Sequence, residues 1–308
     1  MKRKAIQLAN QTIVISLPSK WVKQQGIKKG DEIDITEEDE KLIIRGSTHS
    51  DIKTFVLDIK DYSQTILCRQ LRTLYRKGYD KLTLRFRSPT QLNIIEDTIK
   101  NLIGFEIVEQ SKEECVIEDI AESQTKDIDK LIKRVIMLMM SMCEELQDDT
   151  RALDLERLNS IILTDKQINK FIDYIIRLIN KNVIPKPIKR ELLYFLALQL
   201  EVVGDRCKLV AEKITEIKSE KKVFTFNKLT MNFLKETYRI LGVFNSSLYK
   251  ASEESSLKKI DETRKLINRT YDIINKSKMP KKEMEICDMV KENIYTVFDI
   301  LEEFMITP

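Results

Sequence analysis

The sequence predicts a multidomain, mainly α chain: a short β segment at the amino end, a small α/β layer, and a long helical remainder. Three observations predict it. Short β-type runs punctuated by Gly26 and Gly30 fill residues 1–46. Across residues 51–120 the apolar pattern switches between strand and helix periods. From Asp127 onward the period is helical almost to the end. At 308 residues the chain is long for one core, and two or three domains are expected.

The amino-terminal segment is polarised. Lys2, Arg3, Lys4, Lys20, Lys23, Lys28 and Lys29 all precede the first acidic residue, after which Asp31, Glu32, Asp34, Glu37, Glu38, Asp39 and Glu40 reverse the sign. Such a segment has one part that attracts a polyanion and another that repels it. Thr12–Leu17, Glu32–Ile35 and Leu42–Ile44 read as strands, Pro18 ends the first, and Lys20–Gln25 accommodates a helical turn or two. A unit this small cannot bury enough apolar surface alone, so it is expected to interleave with a second copy.

The runs Thr12–Trp21 (TIVISLPSKW), Gly26–Asp31 (GIKKGD), Ile33–Ile35 and Leu42–Ile44 resemble the swapped-hairpin DNA-binding domain of the AbrB/MazE/SpoVT type. The resemblance implies an intertwined homodimer whose basic strands and loops grip DNA phosphates. Lys2, Arg3, Lys4, Lys20, Lys23, Lys28 and Lys29 would neutralise phosphates, and Asn10 and Gln11, in the loop before the first run, are candidates for base edges. A plain dimerisation hairpin with solvated charges is the alternative.

Composition narrows the remainder. The formal charge is only +4, so nucleic-acid affinity has to come from local segregation. Cys68, Cys115, Cys143, Cys207 and Cys287 lie far apart with no CxxC pair, which argues for reduced thiols in a cytoplasmic protein. His49, the single histidine, sits in a Ser/Thr-rich linker and makes a poor catalytic base. Neither a GxxxxGK[ST] nor a GxGxxG motif occurs, and the longest notable apolar run, Val135–Met140, is too short for a bilayer. An enzyme is not expected.

Within residues 51–120, strands are expected at 54–59, 82–86, 105–108 and 115–117, with helices at 63–77 and 88–104. The resulting βαβαββ order argues for a small α/β domain whose first two strands are parallel. Arg69, Arg72, Arg76 and Lys77 form a basic helical stripe, more often a solvated face than a contact with DNA or a partner.

Beyond residue 123, helices are expected over about 127–142 onward, 153–181 with a break near Thr164, 188–217, 228–251, 256–277 and 281–305. Pro185, Pro187 and Pro280 mark turns. Two sets of three helices (about 123–218 and 227–308) read as an internal repeat. Met137, Met139, Met140 and Met142 enrich the first helix, as core or as an adaptable surface.

Glu201 and Asp205 lie four apart on an apolar helix and share a face, so they need a cation beside them: a metal ion, or a basic side chain such as Lys181 or Arg190. The segment Leu200–Asp205 (LEVVGD), followed by Ala211-Glu212 and preceded by Pro187–Leu192, is similar to the PhoU family. That resemblance implies two stacked three-helix bundles, metal sites on ExxxD-type motifs, and regulation of phosphate uptake. Carried over, a divalent or iron-type metal would be held by Glu201 and Asp205, with Asp165 and Asn169 on the preceding helix. In the second repeat Tyr295 replaces the glutamate, Asp299 remains, and Asp261 is a loose candidate.

The combination resembles archaeal phosphate-uptake regulators. The expectation is therefore a cytoplasmic, homodimeric DNA-binding transcription regulator of phosphate homeostasis, with the helical domain sensing phosphate status or a partner. The rival is a non-DNA-binding adaptor that docks on a phosphate transporter or sensor kinase.

Overall fold

A computed structural model of the chain describes residues 2–8, 12–38, 41–46, 52–120, 127–147, 155–181, 190–220, 228–247 and 254–306. Asn10, Gln11, His49, Pro185 and Pro187 lie outside them. The chain divides into two compact units, Met1–Lys53 and Thr54–Pro308.

The small unit holds β1 (Ala5–Leu8), β2 (Thr12–Ile15), α1 (Ser19–Gln24), β3 (Ile33–Glu38) and β4 (Lys41–Gly46). β1 pairs antiparallel with β2, and β3 with β4, as two separate two-stranded sheets. Strand β1 was not anticipated: its four residues, AIQL, are too few to show a period. Gly26 and Gly30, at φ 62° and 96°, turn the chain between α1 and β3 in the left-handed region that glycine tolerates.

The large unit opens with β5 (Thr54–Asp58), α2 (Gln64–Arg76), β6 (Lys81–Arg85), α3 (Pro89–Ile99), β7 (Phe105–Gln110) and β8 (Glu114–Asp119). The order is the βαβαββ read from sequence. Ser63 caps α2 by accepting the Ile66 N–H, and Ser88 caps α3, whose first residue is proline. The sheet runs β5-β6-β8-β7, with β5 and β6 parallel and the other pairs antiparallel. Alternation on β6 puts Leu82 and Leu84 in the core, opposite Ile117 and Cys115. Its other face carries the cross-strand ion pairs Lys81–Glu118 and Arg85–Glu114.

Among the described residues six helices follow: α4 (Ile128–Gln147), α5 (Leu155–Asn180), α6 (Arg190–Glu220), α7 (Lys228–Ser247), α8 (Glu254–Lys276) and α9 (Lys281–Ile306). α5 runs unbroken through Thr164, contrary to the break expected there; Ile161 and Ile168 are buried on either side and hold the helix to the core. α6 packs on α4, α5 and α9. It keeps one exposed side, however, where Tyr194, Leu198 and Val202 recur every fourth residue. Met139 and Met142 are core, Met140 is partly buried, and Met137 is exposed. No helix among the described residues is long and apolar enough to cross a membrane.

The sequence separates residues 51–120 from the helical domain, whereas the structure joins them in one unit with a continuous core. The reason is a polar seam between α2 and α5, described next.

Candidate functional site

α5 carries a polar residue at every fourth position: Asp165, Asn169, Asp173 and Arg177, continued by Lys181 just past its end. Residues so spaced lie on one slowly winding face, and from Asp173 onward that face meets the α/β layer. Asp173, 3% exposed, accepts from Arg72 Nε at 2.9 Å and from Arg76 Nε at 2.5 Å. Both arginines reach on to α6, where Arg72 Nη2 donates to Glu201 Oε1 at 3.1 Å and Arg76 Nη2 to both Glu201 oxygens at 2.9 Å. Half of the basic stripe read as a solvated face is therefore an intramolecular clasp of two guanidinium groups on two carboxylates.

Farther along α5, Arg177 is 1% exposed. Its Nη1 donates to the carbonyls of Tyr75 and Tyr79 at 2.9 and 2.6 Å, and its Nη2 to Asp119 at 2.7 Å and Asp80 at 3.3 Å. The guanidinium also packs over the rings of Tyr75 and Phe105. Asn180 donates to Arg76 O at 2.7 Å. α5 thus satisfies carbonyls at the carboxyl end of α2, where a cation is also favoured by the helix dipole. Lys181 completes the group on Asp80 and Asp119. Gly78 permits the approach: at φ 78°, a Cβ there would lie 2.9 Å from Lys181 Cγ.

The four positions expected to ligate a metal do not converge on one centre. Glu201 is engaged by Arg72 and Arg76. Asp165 and Asp205 share Lys208, whose Nζ lies 3.0 and 2.9 Å from them, and Asn169 Nδ2 donates to Asp165 at 3.1 Å. Among the described residues no group of three His, Cys, Asp or Glu is disposed to hold a metal ion. The charge compensation that Glu201 and Asp205 require comes from Arg72, Arg76 and Lys208 rather than from Lys181 or Arg190, so this donor set, as arranged, does not fit a metal. In the second helical set Asp261 pairs with Lys265, the Tyr295 hydroxyl bonds Asn268, and Asp299 is exposed.

Burial, only partly offset by Lys208, raises the Asp165 carboxyl above its ordinary value. The native state then holds this proton to higher pH than the unfolded chain, so the group's contribution to stability falls as pH rises from its unfolded value of about 4. The Asp165→Asn variant lacks that penalty. Thermal unfolding at a series of pH values is expected to show it gaining stability over the parent from pH ~4 upward; a constant difference would contradict this.

The small unit presents a different problem. None of its residues with a described side chain is buried. In the β1–β2 register, Ile6 and Leu8 share one face with Val14, while Ala5, Ile13 and Ile15 share the other. Both faces of this ladder are apolar, and Ile13 is 70% exposed. On the β3–β4 pair, Ile33, Ile35, Leu42 and Ile44 share a face. Around these strands Lys2, Arg3, Lys4, Lys20, Lys23, Lys28 and Lys29 are all exposed. Lys20 and Lys23 stand three apart on α1, and the Lys28 N–H is fixed to Asp31 at 2.7 Å. An uncovered apolar ladder flanked by exposed cations needs a protein partner and attracts a polyanion.

Residues 6–47 match the family model of the MazE antitoxin. The family is described as antidote-toxin recognition MazE, bacterial antitoxin. No match was found among curated proteins or among solved structures. The MazE-type segment coincides with the small unit from β1 through β4 and supports its reading as a swapped-hairpin DNA-binding domain. All the expected phosphate contacts lie within or just before it, as do Asn10 and Gln11, whose positions are outside the described residues.

Proposed function

We propose that the chain is a homodimeric DNA-binding transcription regulator. Its MazE-type segments interleave across two chains to form the DNA-binding platform, and the large unit carries the input. The observation behind this reading is the β1–β2 ladder, apolar on both faces, uncovered in one chain and bordered by exposed cations. A second copy supplies the missing cover, and an isologous arrangement brings two sets of cations together. The input we assign, on the PhoU resemblance of residues 123–308, is phosphate status in the cytoplasm.

The test is fluorescence anisotropy with labelled duplex across a salt series. A log–log slope of about −5 or steeper is expected, as roughly six neutralised phosphates at −0.9 each require. Absence of binding at low salt would overturn the reading. The adaptor alternative draws support from the exposed Tyr194, Leu198 and Val202 stripe on α6, a surface for a transporter or sensor component. Under it, charge changes in the MazE-type segment would leave regulation in cells untouched.

A further inference from the structure

The four-stranded sheet has two edges, and they are built differently. Edge strand β7 carries Glu106 and Glu109, both exposed, and a register shift between Ile107 and Glu109 breaks its line. Charge and irregularity of this kind discourage a further strand. Edge strand β5, TFVLD, has no proline, no lysine and no register shift, and its single charge, Asp58, lies at the last position beside Arg85. Its side chains are also under-covered. Phe55 and Leu57 reach the core only in part and Val56 is 53% exposed, whereas Leu82 and Leu84 on the neighbouring strand are 0% exposed.

The backbone fixes which groups that edge offers. Ile59 N–H donates to Arg85 O at 2.8 Å, and Asp58 stands opposite Arg85 in the parallel register. Phe55, Leu57 and Ile59 therefore bond β6, and Thr54, Val56 and Asp58 turn N–H and C=O outward. Among the described residues no backbone group bonds them there.

We infer that β5 pairs antiparallel with β5 of a second copy, about a twofold axis at Val56, joining two four-stranded sheets into one. In this register Val56 faces the partner's Val56 and Thr54 faces the partner's Asp58, so every outward N–H and C=O finds a mate. Phe55 stands beside the partner's Leu57, which covers both on the core side. A strand paired antiparallel with itself closes on a twofold axis, and this register sets no like charges opposite each other. The inference rests on the homodimer reading. Residues 47–53 alone separate β4 from Thr54, so chains joined through their small units hold their β5 strands at high local concentration. Five-residue strands are too short to hold two chains without that link.

Hydrogen exchange resolved to single amides in the full-length protein tests it, read beside the mass in solution. In the two-chain parent the Val56 and Asp58 amides are expected to exchange at least about tenfold more slowly than in a single-chain Ile13→Asp/Ile15→Asp variant. The amides of β7, on the opposite edge, are expected to exchange alike in both. A Val56→Cys variant is expected to cross-link chain to chain with a short bismaleimide, above the background of the parent's own thiols, and a Gln110→Cys variant on β7 is not. Equal exchange at Val56 and Asp58 in the two proteins, or no added cross-link at Val56, in a parent of doubled mass would overturn the inference and leave the homodimer standing. A parent of single-chain mass would overturn both.

Discussion

Reversing Lys2, Arg3 and Lys4 to glutamate is expected to lower DNA affinity by more than about a hundredfold at low salt, without changing the protein's mass in solution. The three residues precede β1, whose first ladder pair is Ala5 with Ile15, so none of them belongs to the β1–β2 register. In a two-chain platform the change removes six attractions and adds six repulsions, three from each chain. The salt dependence should fall as well, since each lost phosphate contact takes about 0.9 from the log–log slope. Anisotropy titration of parent and variant against one duplex provides the check. Equal affinity for the two proteins would place DNA contact elsewhere, or nowhere.

Arg177→Met is expected to be the most damaging single change in the large unit. It deletes a guanidinium that is 1% exposed and bonded to two carbonyls and two carboxylates. Lys181 would remain beside the two carboxylates, its Nζ 2.5 Å from Asp80 and 3.4 Å from Asp119, but its side chain is 24% exposed. Removing one partner from a buried ion group typically costs about 3–5 kcal/mol. For a unit of this size that corresponds to a fall in Tm of roughly 6–20 °C. Lys181→Met should cost much less, because a partly solvated amine is held more weakly. Calorimetry on the two variants separates them, and equal losses would mean that the seam does not depend on its buried arginine.

How the sequence relates to this architecture is clearest in particular elements. The βαβαββ order was legible because each element carries its own period and its own stop: serine caps before α2 and α3, and Gly78 and Gly104 at φ 78° and 87° after them. Helix order in residues 127–306 was equally legible, since the apolar stripes are long. Strand β1 was not, being four residues with one polar position.

The polar seam was missed for a different reason. Glu201 was singled out correctly as a carboxylate in need of a cation, but its partners, Arg72 and Arg76, are 129 and 125 residues away in sequence. No local pattern announces a pairing over that distance. A signal did exist on α5, where Asp165, Asn169, Asp173 and Arg177 recur every four residues, Lys181 follows just past its end, and residues 171–179 are otherwise apolar but for Tyr174. A polar stripe that persistent on a buried helix implies a second polar surface against it. The arginine stripe on α2 was the matching half.

Sedimentation equilibrium of the intact protein tests the central claim most directly. With chains of 36.2 kDa, the account predicts twice that mass at roughly 20 μM, and a return to the single-chain mass when Ile13 and Ile15, on one face of the β1–β2 ladder, are both changed to Asp. A parent protein that sediments as one chain would contradict it, because the exposed apolar ladder would then have no second copy to cover it.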